Sequence, residues 1–204
     1  MLVMFFLRGL AIGFAIAAPV GPIGVLCMRR TLAQGRVCGL VSGLGAATAD
    51  AVYGCIAGFG LTLVANFLVS QQTALRVVGG VFLCFLGVRT FLARPSEKPV
   101  SSSARGLLGS YASTFLLTLT NPLTILSFAA AFAGSGLTGT QANFAAAATL
   151  VLGVFTGSAL WWLLLSTFFG ALRGTLSLGR LQWVNRLSGA VITGFGLFAL
   201  YGAL

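Results

Sequence analysis

The chain has 204 residues, of which 58% are hydrophobic and 7% are charged, and its net charge is +10. Soluble domains carry about 25% charged residues, and so few polar side chains cannot cover a water-facing surface of this size. The composition excludes a soluble enzyme, a nucleic-acid module and a disordered chain, and it predicts an all-α integral membrane protein.

Six apolar runs follow one another. The first, residues 2–28, is interrupted by Pro19 and Pro22. Arg8 lies within its apolar stretch and not ahead of it, which argues against a secretory signal peptide. The second run, 37–68, carries Asp50 near its centre, and the third covers 74–92. A hydrophilic segment, 94–106, then reads as a flexible connection. The fourth run, 107–133, is interrupted at Asn121-Pro122; the fifth covers 142–172 and the sixth 183–204. A helical span needs about 20 apolar residues, so each run suffices for one. Helices are expected because lipid offers no partner to backbone groups, and the alternation of a β-barrel is missing.

Loop charge predicts the orientation. Arg29, Arg30 and Arg36 fall in the first connection, and Arg89, Arg94, Lys98 and Arg105 in the third. Arg173, Arg180 and Arg186 fall in the fifth. By the positive-inside rule these three connections are cytoplasmic and both termini face outward.

The chain also resembles itself. Aligning Gly45 with Gly153 pairs Thr48 with Thr156 and places Asp50 opposite Ser158. Pro22 falls opposite Pro122, and Arg76 and Gly79 opposite Arg186 and Gly189, all in chain order. A duplicated three-helix unit is expected, 1–93 and 107–204. An odd number of spans turns the second copy upside down, which is the inverted repeat of many secondary transporters.

Corresponding breaks in the two halves point to a midplane binding site, because proline removes a donor and frees a carbonyl. Gly21, Pro22, Asn121 and Pro122 are therefore candidate site residues. Asp50 is the one acid within any run, and an intramembrane carboxylate is costly enough to imply a function. It could carry a proton, clamp a cationic group, or bond to neighbouring polar groups as a structural acid. Tyr53 joins the candidates as a helical neighbour of Asp50, Ser158 as its counterpart, and Thr48 as the residue that pairs with Thr156. Trp161 and Trp162 could line a pathway, but packing is the favoured reading.

Four stretches carry a family resemblance. They are Ala18-Pro-Val-Gly-Pro-Ile-Gly-Val25, Arg30-Thr-Leu-Ala-Gln-Gly-Arg36, Gly45 to Tyr53 with Asp50, and Thr120-Asn-Pro-Leu-Thr-Ile-Leu-Ser-Phe128. Together they resemble the LysE/RhtB family of amino-acid exporters over nearly the whole chain. The resemblance implies a six-helix inner-membrane carrier that exports amino acids or related small metabolites, driven by protons. The family motif residues matched here are Gly21, Pro22, Asp50, Asn121 and Pro122. Many members carry Lys after the Asn-Pro pair, where this chain has Leu123.

Other classes fit less well. A metal-ion transporter is the alternative, but one intramembrane acid and no His leave few ligands. A redox carrier needs a Cys at each broken helix, and no Cys follows Pro122. No nucleophile–base pair suggests an enzyme, and no cofactor is expected. The expected partners are an amino acid or analogue, protons and the bilayer, with no nucleic acid; a homo-oligomer stays open.

Overall fold

In a computed structural model of the chain, the described residues are 2–19, 21–59, 67, 70–93, 104–121, 124–128, 131, 144–175 and 177–203. They form helices α1 (Leu2–Ala17), α2 (Pro22–Gln34), α3 (Arg36–Gly58), α4 (Gln72–Leu92), α5 (Ala104–Leu119), α6 (Phe144–Leu172) and α7 (Leu178–Tyr201). Residues 124–128 are also helical, and a 3-10 turn at Arg173–Thr175 follows α6. Among the described residues there is no strand.

Local chemistry sets the helix boundaries. Gly21 is extended, and Pro22 opens α2 where its missing N–H costs no helical hydrogen bond. Gly35 separates α2 from α3 with φ at 104°, a conformation that favours glycine. Its N–H donates to the Thr31 carbonyl at 3.0 Å. The Ser177 hydroxyl caps α7 by accepting from the Arg180 N–H at 3.4 Å.

Helices α3, α4, α6 and α7 are each long and apolar enough to cross a membrane. Helices α1 and α2 would supply a fifth span if taken together, and their axes differ by 80°. Helix α5 has 16 residues, about 24 Å at 1.5 Å per residue, short of the ~30 Å hydrocarbon layer. The chain is thus a multi-pass membrane protein with four or five candidate spans. Pro122 and the junction at 94–103 lie outside the described residues.

Polarity is distributed as lipid requires. Val81, Phe85 and Val88 on α4 and Leu197, Phe198 and Tyr201 on α7 are exposed. Ser42, Thr114, Thr118, Ser158, Ser166 and Asn185 are buried. Small residues let helices approach closely. Gly9 and Gly13 of α1 face Gly153 and Gly157 of α6, where an added Cβ would fall on backbone atoms. Gly80 and Gly87 of α4 meet Gly196 and Gly189 of α7 in the same way.

One expectation changes. Most arginines expected in connections sit in helices: Arg29 and Arg30 belong to α2, Arg36 to α3, Arg89 to α4, Arg105 to α5, and Arg180 and Arg186 to α7, and Arg30 is only 7% exposed. The sequence pattern of an apolar run ending in arginines marks where hydrophobicity stops, not where the helix stops.

Candidate functional site

Asp50 lies in α3 among Ala46, Ala47, Ala49 and Tyr53, and it is 3% exposed. The small residues leave room for α6 to pack against this face. The Ser158 hydroxyl of α6 donates to Asp50 Oδ2 at 2.7 Å. One turn further along α6, the Trp162 indole N–H donates to Ser158 Oγ at 3.1 Å. The result is a directed relay from indole through hydroxyl to carboxylate. Among the described residues no cation pairs with Asp50.

Asp50 borders a cavity of about 180 Å³. The break before α2 contributes Pro19 and Gly21 to its wall, the first turn of α2 Pro22 and Gly24, the end of α5 Thr118, and the residues just beyond it Asn121. Thr124, Ser127 and Trp162 complete the polar side. Drug-sized pockets begin at about 300 Å³, so this space suits a small metabolite. Its chemistry is mixed. The first turn of α2 leaves backbone N–H groups without helical acceptors, which favours an anionic group. Asp50 favours a cationic group or a proton.

The candidate residues separate into those that share this cavity and those that do not. Asp50, Gly21, Pro22 and Asn121 come together on its wall, and Ser158 stands directly behind Asp50. The Tyr53 hydroxyl donates to the Leu119 carbonyl at 2.5 Å, and its ring stacks on Phe128. Tyr53 thereby holds the end of α5 in place. Thr48 lies elsewhere: its hydroxyl donates to the Leu44 carbonyl and accepts from the Tyr111 hydroxyl, at 2.8 Å each. Pro122 is outside the described residues. The Asn121 side-chain amide donates to Thr124 Oγ1 at 3.0 Å and so braces the second wall.

Thr118 and Thr124 are site residues that the sequence reading passed over, and Trp162, for which packing was the favoured reading, also lines the cavity. The signal for Trp162 was its spacing, one helical turn from Ser158 on the same face. Trp161 instead packs edge-on against Phe14 of α1, with ring centroids 5.4 Å apart.

The model of the family described as LysE type translocator matches residues 14–203. The chain belongs to that family. A putative amino acid efflux protein, YcgF, of Bacillus subtilis (strain 168) is 28% identical over 96% of this chain and 95% of its own length. The uncharacterized membrane protein YahN of Escherichia coli (strain K12) is 31% identical over 85% of this chain and 79% of its own. The threonine efflux protein of the same organism is 24% identical over 97% of each chain. No solved structure gives a significant match. The family is one of transporters, and the metal-ion alternative gains no support. Among the described residues no three His, Cys, Asp or Glu side chains converge.

Proposed function

We propose that the chain is a secondary exporter of amino acids, not an enzyme, and that it couples outward substrate movement to inward proton movement. The observation that carries the reading is the position of Asp50 on a small cavity lined by Gly21 and Pro22 at the start of α2 and by Asn121 beyond α5. In this reading the free N–H groups of α2 receive the substrate carboxylate, and the polar groups near Asn121 and Thr124 receive its ammonium. Asp50 carries the coupling proton. The names of the relatives, an amino acid efflux protein and a threonine efflux protein, supply the substrate class.

Six spans arranged as two inverted repeats of three are part of the same proposal. Under exchange of the halves, the pairing of α1 with α6 becomes that of α3 with the α5 segment, and both pairings occur. The pairings of α3 with α6 and of α4 with α7 map onto themselves, and both also occur. The charge asymmetry assigns the ends carrying Arg30, Arg89 and Arg173 to the cytoplasm of a cell whose inner membrane holds the protein.

Proteoliposomes preloaded with L-threonine and a panel of other amino acids test the reading. An imposed proton gradient should accelerate efflux of at least one of them. Efflux that ignores the gradient for every amino acid would contradict it.

A further inference from the structure

A second, larger cavity of about 820 Å³ opens beside the first, between α2, α4 and α5. Arg29, Arg30 and Arg89 all line it. Three cations on one cavity within a membrane protein need an explanation, because uncompensated charge in a low-dielectric layer is costly. The chain has two acids in all. One, Asp50, borders the other cavity, and the other, Glu97, lies outside the described residues.

Arg30 is held with care. Its guanidinium donates from Nη1 to Ser42 Oγ at 3.0 Å, the Ser110 carbonyl at 2.9 Å and Thr114 Oγ1 at 2.7 Å. From Nη2 it donates to Ser113 Oγ at 2.8 Å. Every acceptor is neutral. The Ser42 hydroxyl in turn donates to the Cys38 carbonyl, and the Thr114 hydroxyl to the Ser110 carbonyl. The network fixes the fork in space without cancelling its charge. Arg29 is tethered by one bond, from Nε to Asn185 Oδ1 at 3.0 Å, and Asn185 in turn donates to the Ala93 carbonyl at 3.1 Å. Among the described residues its two terminal nitrogens make no hydrogen bond, so they are free to engage a ligand. Arg89 is exposed at the rim.

The two cavities are stacked along the same helices. Gly24 of α2 lines the inner one and Arg30 the outer, six residues or about 9 Å along the axis. Leu26 and Leu117, each 1% exposed and in one apolar cluster, lie between these levels on α2 and α5.

We propose that Arg29, Arg30 and Arg89 form an anion site that captures a small organic carboxylate in the outer cavity, ahead of the Leu26–Leu117 layer. Resting on the exporter reading, the carboxylate is that of the exported amino acid, taken from the cytoplasmic side. Arg30 supplies the fixed field, and Arg29 closes its free terminal nitrogens on the two oxygens. The site then hands the substrate past the leucines to the inner cavity.

Binding to the purified full chain in phosphatidylcholine nanodiscs tests this. The probes are L-threonine, N-acetyl-L-threonine, which keeps the carboxylate and loses the ammonium, and L-threoninamide, which does the reverse. Calorimetric titration should show the first two binding and the amide failing. Arg29→Gln and Arg89→Gln, which leave the Arg30 network intact, should each weaken carboxylate binding about tenfold. Equal binding of the amide, no carboxylate binding, or unchanged binding in both variants would overturn the proposal. So would arginine-dependent retention of phosphatidylglycerol without carboxylate binding, which would make this a lipid site. Carboxylate binding that needs the arginines, with no amino-acid efflux from proteoliposomes, would defeat the exporter reading and leave the anion site standing. Gradient-driven efflux untouched by both substitutions would do the opposite.

Discussion

Ser158 donates a hydrogen bond to Asp50 at 2.7 Å, across the packed face of α3 and α6. Each residue is also the other's counterpart when the halves of the sequence are aligned. Two such residues can touch only where both lie close to the relation that exchanges the halves, which fits a site at the centre of an inverted repeat. Ser158→Ala removes the donor to Asp50 and the acceptor of the Trp162 N–H. We expect a folded protein, destabilised by about 1–3 kcal/mol, and efflux reduced about tenfold. Thermal unfolding and proteoliposome efflux check the two effects separately, and Ser158→Thr should restore most of both. Undiminished efflux in the Ala variant would make the hydrogen bond dispensable.

Gly21 separates folding from transport. It lines the inner cavity, its backbone is extended, and an added Cβ meets nothing within 4 Å. A side chain can therefore start from this position beside the cavity without meeting backbone. Gly21→Leu should reach the membrane at normal levels, unfold at a near-normal temperature and transport at least about tenfold more slowly. Normal efflux would remove this cavity from the pathway.

Gly157 should behave in the opposite way. A Cβ there would fall on the Leu10 carbonyl of α1. Overpacking a core usually costs about 1–3 kcal/mol, and a backbone atom yields less readily than a side chain. Gly157→Leu should therefore lower the amount of folded protein recovered in detergent. Gly194→Leu on α7, where a Cβ meets nothing within 4 Å, should not. Size-exclusion profiles of the two variants decide the matter, and equal recovery would refute the close α1–α6 contact.

Orientation follows from charge. A reporter joined after Glu97 should act as cytoplasmic, and one joined after Leu204 as external. A cytoplasmic signal at both positions would contradict an odd number of crossings between the two points and, with it, the inverted repeat.

What was legible in the sequence follows from what lipid makes conspicuous. An acid in an apolar run has no water to solvate it, so Asp50 stood out, and prolines inside such runs marked Gly21, Pro22 and Asn121. Ser158 was reachable only through the internal alignment. Thr48 came from its alignment with Thr156, yet it stands two residues from Asp50, which along a helix turns a side chain by about 200°, and it faces Tyr111 instead. Trp162 was weighed as a pathway residue but ranked below packing, because an aromatic residue in an apolar run resembles packing. Arg30 was hidden because arginines after an apolar run resemble a loop. Its acceptors at Ser110, Ser113 and Thr114 are about 80 residues away, which no local pattern conveys. The Gly9 and Gly13 pair became meaningful only once α6 supplied Gly153 and Gly157 opposite.

The central claim is that Asp50 carries the coupling proton, and Asp50→Asn tests it most directly. Asn keeps the size and a hydrogen-bonding oxygen but cannot titrate. Efflux driven by an imposed proton gradient and counterflow at equal pH are measured side by side in proteoliposomes. The account predicts that the variant loses gradient-driven efflux, at least about a hundredfold, while counterflow persists. Loss of both would make Asp50 a clamp for the substrate ammonium, and gradient-driven efflux at the wild-type rate would contradict the coupling role outright.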